Sequence, residues 1–561
     1  MRPLDWVVLG VALSSIVLYG LYKGRGSNTV NSYLLAGKTM PWYAMGLSIM
    51  ATQASAITFI STTGQAYADG MRFVQFYFGL PIAMVILSAT AVPIFHRANV
   101  YTAYEYLEKR FDVKTRALVS AIFLMQRGLA VGISLAAPAI VLTVLLGWPA
   151  RATTVVMGGI VIVYTVVGGI KAVTWTDVQQ MGIILGGGAV ALITAIHLLP
   201  ATVSLHDAIT LAGAAGKLNA VDLSFDWSNR YNIWSGVIGG TFLALAYFGT
   251  DQSQVQRYLT GKSIAQSRLS LLFNAVAKIP MQFLILFTGA MVFVFFVYTR
   301  PPVLFQPVDL QRIETAPEYS AVAQRFDAAF DQRRAAATRY LEARRSKDET
   351  AATAASISEY RRAQKEIDRA RGDAARLVAS KTGGHAFNDT NYIFLSFVTR
   401  YMPAGIVGLI MAAIFAAAMS GISGEINSLA TVTVIDIYRR HIRKDVSDRH
   451  YVWVSRAATA FWGCYAIVFA QFAQSMGSLI EAVNQVGSLF YGSMLGVFML
   501  AFFFRRVRGT AAFTGAIAGE AAILYARFFT PVSFLWYNVL GCLVVVAVGL
   551  AISMRERRVA A

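Results

Sequence analysis

Arg127 stands eleven residues into an apolar run that begins near Arg116, about 16 Å along a helix that rises 1.5 Å per residue. A charge at that depth is costly, and by default it is functional. A planar guanidinium suits bidentate capture of an arriving carboxylate. It also suits an internal ion pair with a carboxylate such as Asp177 or Glu425, and both readings stay open. A second set of residues suits a hard cation. Ala417, Ser420, Ser423, Gly424, Asn427 and Thr431 fall within one sector of a helix at 100° per residue. Hydroxyl oxygens there could bind such an ion, while the small residues also permit close helix packing. Glu425 points about 140° away from Ser420, toward another helix and a cation such as Arg456 or Lys278. A third set is Ala51-Thr52-Gln53-Ala54-Ser55-Ala56-Ile57-Thr58, about 15–25 Å beyond Pro41. Polar and β-branched residues at that depth fit a helix that unwinds and offers carbonyl oxygens to a cation, or ordinary Ser/Thr packing between helices. Around one cavity with Arg127 we place Gln53, Ser55 and Thr58, with Phe73 and Gln75 of the next run.

These residues must be positioned by membrane-spanning helices. Of 561 residues, 56% are apolar and 14% are charged, against about 25% charged in an ordinary soluble domain. Thirteen runs approach the roughly 20 apolar residues that cross a bilayer: 4–22, 41–68, 73–96, 117–146, 151–170, 174–200, 232–256, 268–299, 403–436, 451–473, 476–504, 509–528 and 533–553. The net charge of +19 is not a nucleic-acid footprint, because the basic residues sit between spans. They alternate instead. Lys109, Arg110, Lys114 and Arg116, or Arg439, Arg440, Arg443 and Lys444, mark one side, and short segments with single residues such as Arg72 or Arg151 mark the other. The positive-inside rule then puts the N-terminus outside and the C-terminus in the cytoplasm of a multi-pass cell-membrane protein, with weak attraction to anionic lipid as a by-product.

Residues 307–385 are densely charged and interrupt the pattern, and their Ala, Arg, Glu and Gln content with Phe326, Phe330, Tyr340 and Leu341 at helical spacing predicts an extramembrane helical hairpin. Charge pairs by themselves suggest a solvated helix rather than a module for a partner, and no partner can be named. Neither cysteine, Cys464 or Cys542, lies in a disulfide or thiol-metal pattern. The six histidines, His96, His197, His206, His385, His441 and His450, lie in loops or at span ends without ligand spacing. A membrane enzyme is therefore not expected, nor any cofactor.

Four ordered stretches resemble the sodium:solute symporter family, whose members include sodium-coupled transporters for sugars, iodide, monocarboxylates, proline and sialic acids. They are Thr102-Ala103-Tyr104-Glu105-Tyr106-Leu107-Glu108-Lys109-Arg110-Phe111, the segment from Tyr164 through Gly168-Gly169-Ile170-Lys171 and Trp175-Thr176-Asp177 to Gln180, Gly249-Thr250-Asp251-Gln252 through Arg257-Tyr258-Leu259, and Ala416 through Ser420 to Asp436-Ile437-Tyr438. The resemblance implies an all-α, leucine-transporter-like core of two inverted five-helix repeats, 41–200 and 232–504, joined by an outer loop at 201–231. The extra pieces are 1–40, the insertion at 307–385 and the C-terminal region 505–561. It implies alternating access with sodium as coupling ion and a small polar, carboxylate-bearing solute.

By the same resemblance, the main sodium site maps to Ala51, Ala54, Ala417, Ser420 and position 421. Position 421 is Gly, so one hydroxyl ligand is absent. A second sodium site of some members maps to Asp177, Ser420, Ser423 and position 424, which is again Gly. Against that second role, Thr176 and Asp177 read as caps in the first turn of their helix. In sialic-acid-transporting relatives an arginine of this helix holds the substrate carboxylate, which assigns that role to Arg127. Two alternatives remain: proton coupling on the same fold, with Asp177 or Glu425 as carrier, and a membrane sensor, for which only a short tail follows the last span.

Overall fold

The computed structural model describes residues 1–25, 29–346, 351–381, 387–473 and 478–560; His385 and the end of the predicted insertion lie outside them. All regular elements among the described residues are helical. After α1 (Pro3–Gly24), the second span is a broken pair, α2 (Trp42–Gln53) and α3 (Thr58–Asp69), bent by 58°. The break has a local cause. Ala54 leaves helical geometry, and the Ser55 carbonyl accepts from the Thr58 and Phe59 amides to restart the helix. Thr58 Oγ1 meanwhile donates to the Gln53 carbonyl at 2.7 Å, in place of a backbone partner.

The first set continues through α4 (Met71–Ala98), the short α5 (Ala103–Arg110), α6 (Val113–Leu146) and α7 (Ala150–His197). At the two spans expected at 151–170 and 174–200, α7 is two helices that meet at Gly169, with φ 60° and ψ 172°, without an intervening loop. Glycine alone adopts that conformation without strain. The bend also moves Asp177 more than two turns into its helix, so the capping role expected of it is wrong.

A capped helix, α8 (Leu205–Ala214), leads to α9 (Ser235–Gly249) and α10 (Gln252–Leu259), a second broken pair. Here Asp251 restarts the helix by accepting from the Ser253 amide at 2.9 Å. Each five-span set thus opens with a broken helix. The second set continues through α11 (Ile264–Tyr298), α12 (Pro307–Glu314), α13 (Pro317–Arg345), α14 (Ala351–Lys381), α15 (Thr390–Tyr401), α16 (Ile406–Ile442), α17 (Asp448–Ala473) and α18 (Leu479–Phe503). Two further helices follow, α19 (Gly509–Phe529) and α20 (Phe534–Ala560).

By length and hydropathy nine of the described helices can cross a bilayer, or ten with α2 and α3 as one span, so the expected count of thirteen is not reached. The second break is part of the reason, since it leaves Ser235–Gly249 too short to cross alone. Helix α16 lies innermost, packed on α1, α6, α7 and α2. Helices α13 and α14 pair antiparallel, as Arg325–Asp373 and Arg339–Glu359, both at 2.7 Å, show. The hairpin is docked and not merely solvated. Arg345 reaches Asp207 on α8 at 2.5 Å, Arg361 donates to the Ala214 carbonyl at 2.9 Å, and Arg333 donates to the Phe296 carbonyl of α11 at 2.5 Å.

Candidate functional site

The break between α2 and α3 opens on a cavity of about 120 Å³. Gln53, Ser55 and Thr58 line it, as do Tyr77 of α4, Gln126 and Arg127 of α6, Tyr247 of α9, Gly421 and Glu425 of α16, and Tyr491 of α18. The predicted Gln53, Ser55, Thr58 and Arg127 are therefore neighbours. Phe73 and Gln75 are not part of this lining. Phe73 is buried against Phe76 and Tyr231, and Gln75 braces the outer loop by donating to the Tyr231 carbonyl at 2.9 Å and accepting from the Asp222 amide at 3.0 Å. Extended loop backbone consumed the amide that sequence reasoning had assigned to a solute.

Arg127 lines the cavity and is also paired in the protein interior. Nη1 donates to Glu425 Oε1 at 3.0 Å, and Nη2 pairs with Asp251 Oδ2 and donates to Tyr491 Oη at 2.9 Å. Tyr491 in turn donates to Asp251 at 3.0 Å. Glu425 therefore pairs across the α6–α16 interface, and not with Arg456 or Lys278 as expected. Lys278 instead donates to the Gln53 carbonyl at 3.3 Å and lies over the Tyr77 ring, 5.1 Å from its centroid. One guanidinium serves two carboxylates through Nη1 and Nη2, and its Nε is without a partner among the described residues.

The residues mapped to an ion lie on two elements in contact, α2 with its break and α16. Ala51 lies in the last turn of α2 and Ala54 caps it, where helix carbonyls lose their intrahelical partners. Across from them, a Cβ on Gly421 would stand 3.9 Å from Ser55 Cβ, and Ser420 Oγ on the same buried helix has no hydrogen-bond partner. Ala417 lies one turn before. Asp177 is elsewhere engaged: it accepts from Ser48 Oγ at 2.5 Å and pairs at 2.5 Å with Arg257 of α10, both residues fully buried. Ser423 Oγ donates to the Ser420 carbonyl at 3.2 Å. No group of three or more His, Cys, Asp or Glu side chains able to hold a metal occurs among the described residues.

Sequence reasoning gave no role to Asp251, Tyr491, Gln126 or Arg257. Asp251 and Arg257 had a signal, the polar stretch Thr250-Asp251-Gln252 inside an apolar run, which marks the second break. Tyr491 had none, because a lone Tyr in an apolar helix is ordinary packing.

A family model described as the sodium:solute symporter family matches residues 33–320 and 372–519, leaving out a stretch that falls in α13 and α14. The sodium/sialic acid symporter NanT of Aliivibrio fischeri is 28% identical over 554 residues, covering 97% of this chain and 92% of that one. Sodium-coupled monocarboxylate transporter 1 of Homo sapiens is 27% identical over 525 residues, covering 93% of this chain and 72% of that one. The solved outward-open, substrate-bound structure of a sodium-coupled sialic acid symporter superposes with a TM-score of 0.75 at 25% identity, covering 98% of both chains.

Proposed function

The chain belongs to the sodium:solute symporter family, and from that membership we propose that the solute it carries with sodium across the cell membrane is a small carboxylate, received by Arg127. The observation that carries this reading is the guanidinium in the cavity wall at the helix break. Before solute arrives, Glu425 occupies Arg127 Nη1. The solute carboxylate exchanges with Glu425 and takes over a charge-assisted hydrogen bond, while Asp251 and Tyr491 hold the rest of the fork in place. Gln53, Ser55 and Thr58 offer the remaining polar contacts.

The coupling ion sits beside it, on carbonyls of Ala51, Ala54 and Ala417 and the Ser420 hydroxyl, with Gly421 contributing no side-chain oxygen. This is a hard-cation set of oxygens. The N-terminus lies outside and the C-terminus in the cytoplasm, on the alternation of Lys and Arg between spans. The test is uptake of labelled pyruvate, lactate, sialic acid and glucose into proteoliposomes under an inward sodium gradient. Sodium-dependent uptake of the short acids is expected. Transport of glucose in preference to every acid, or equal uptake on a proton gradient without sodium, would count against the reading.

A further inference from the structure

Asp177 is an interior carboxylate with a buried hydroxyl beside it, Ser48, and two hydroxyl-bearing residues, Ser420 and Ser423, on the neighbouring α16. Left alone, such a group needs a cation, since an uncompensated buried charge is strongly destabilising. The cation is already present in the chain. Arg257 comes from α10, directly after the second break, and its Nη1 pairs with Asp177 Oδ2 at 2.5 Å and also contacts Ser48 Oγ. Its Nη2 lies where a side chain at position 424 would begin: a Cβ on Gly424 would run into that nitrogen. Glycine at 424 thus does two things at once. It removes a hydroxyl that a hard ion could use, and it vacates the space that the guanidinium fills.

We propose that the Arg257 guanidinium is the fixed occupant of the cation position at Asp177, so that this chain couples one sodium ion, and not two, to each solute. The inference rests on the sodium-symport reading of the preceding subsection and deepens it. A tethered cation compensates the charge of the carboxylate through Oδ2, while Oδ1 has no partner among the described residues, so Asp177 offers one oxygen and no net charge to a second ion or a proton. The remaining ion position, at the α2–α3 break, shares Ser420 but no carboxylate with this pair.

Direct counting of radioactive sodium on the purified full chain tests this. Wild type should bind one sodium per chain, with a Hill coefficient of about 1 in the sodium dependence of its fluorescence. Replacing the tether and restoring the hydroxyl, Arg257→Met with Gly424→Ser, should raise the count to two and the Hill coefficient above one. A purely structural Arg257–Asp177 tie predicts no such gain. Two ions on wild type, or a folded double variant that still binds one, overturns the proposal. Zero ions on wild type overturns the sodium reading itself, a different result. Should the double variant fail to fold, the pair Asp177→Asn with Arg257→Gln removes both buried charges together. It should retain the single ion, and its loss would show that the ion depends on Asp177 after all.

Discussion

Arg127 ties together three helices that sequence separation hides: its partners Asp251 and Tyr491 lie 124 and 364 residues away. Removing it strands two buried carboxylates, which typically costs about 3–5 kcal/mol. Arg127→Ala should therefore lower thermal stability and solute affinity together, and by itself cannot separate binding from support. Glu425→Gln can. It preserves shape, leaves Asp251 on Arg127 Nη2 and withdraws the carboxylate that competes for Nη1. Affinity for a short acid should tighten, by up to ten-fold or about 1.4 kcal/mol, as read by isothermal titration. Weaker binding in that variant would mean that Glu425 helps hold the solute. Gly421→Ser adds a hydroxyl where the nearest atom to the new Cβ is Ser55 Cβ at 3.9 Å, so it should fit without strain. Apparent sodium affinity should rise several-fold in transport assays while solute affinity at saturating sodium stays the same. The depth of Arg127 and the polar line on α16 were legible because a charge or hydroxyl inside an apolar run has few ordinary explanations. Asp251 and Tyr491 were not, since their roles exist only once distant helices meet.

At the scale of elements, the first break was legible and the second was not. Residues 51–58 carry several polar side chains at mid-span depth, whereas 232–256 read as one apolar run whose polar end resembled a loop. The Gly169 bend was read as a gap between spans for the same reason: a single positive-φ residue leaves no mark on hydropathy. The hairpin was legible in composition, but its docking was not, because surface arginines look alike until their partners are known. One of those contacts has a pH signature. Partial burial pushes the Asp207 carboxyl upward, but hydrogen bonds from Arg345 and Ser204 outweigh it and hold the group at about 2, below the ordinary 3.8. A depressed carboxyl stabilises the docked state above its unfolded pKa and loses that contribution as pH falls through the folded one. Opening of α13 near Arg345, read as hydrogen exchange relative to the intrinsic rate at each pH, should therefore be the same at about pH 7 and pH 5, and should quicken only below about pH 3. Arg345→Ala should quicken it at neutral pH by a small factor, as for any exposed pair. A transition near pH 6 would assign the docking to some other group.

At the scale of the whole molecule, the alternation of basic loops predicts that the hairpin faces the exterior. Ala335→Cys on its exposed face, in a chain with Cys464→Ser so that no exposed native thiol competes, should react with an impermeant maleimide added outside intact cells. Reaction only after the membrane is opened would invert the topology. Helix α11 sets a further condition on how the molecule sits. Its 35 residues extend about 52 Å, while the hydrocarbon layer is about 30 Å thick, so unless steeply tilted the helix extends beyond the lipid. At the hairpin end of α11, Phe293 and Phe296 are nonetheless almost wholly buried, beneath Tyr67, Phe305 and the Arg333 side chain. Protein takes over there from acyl chains. The aromatic end of α11 is thus kept dry by the hairpin and not by lipid, so its packing there should not change with bilayer thickness.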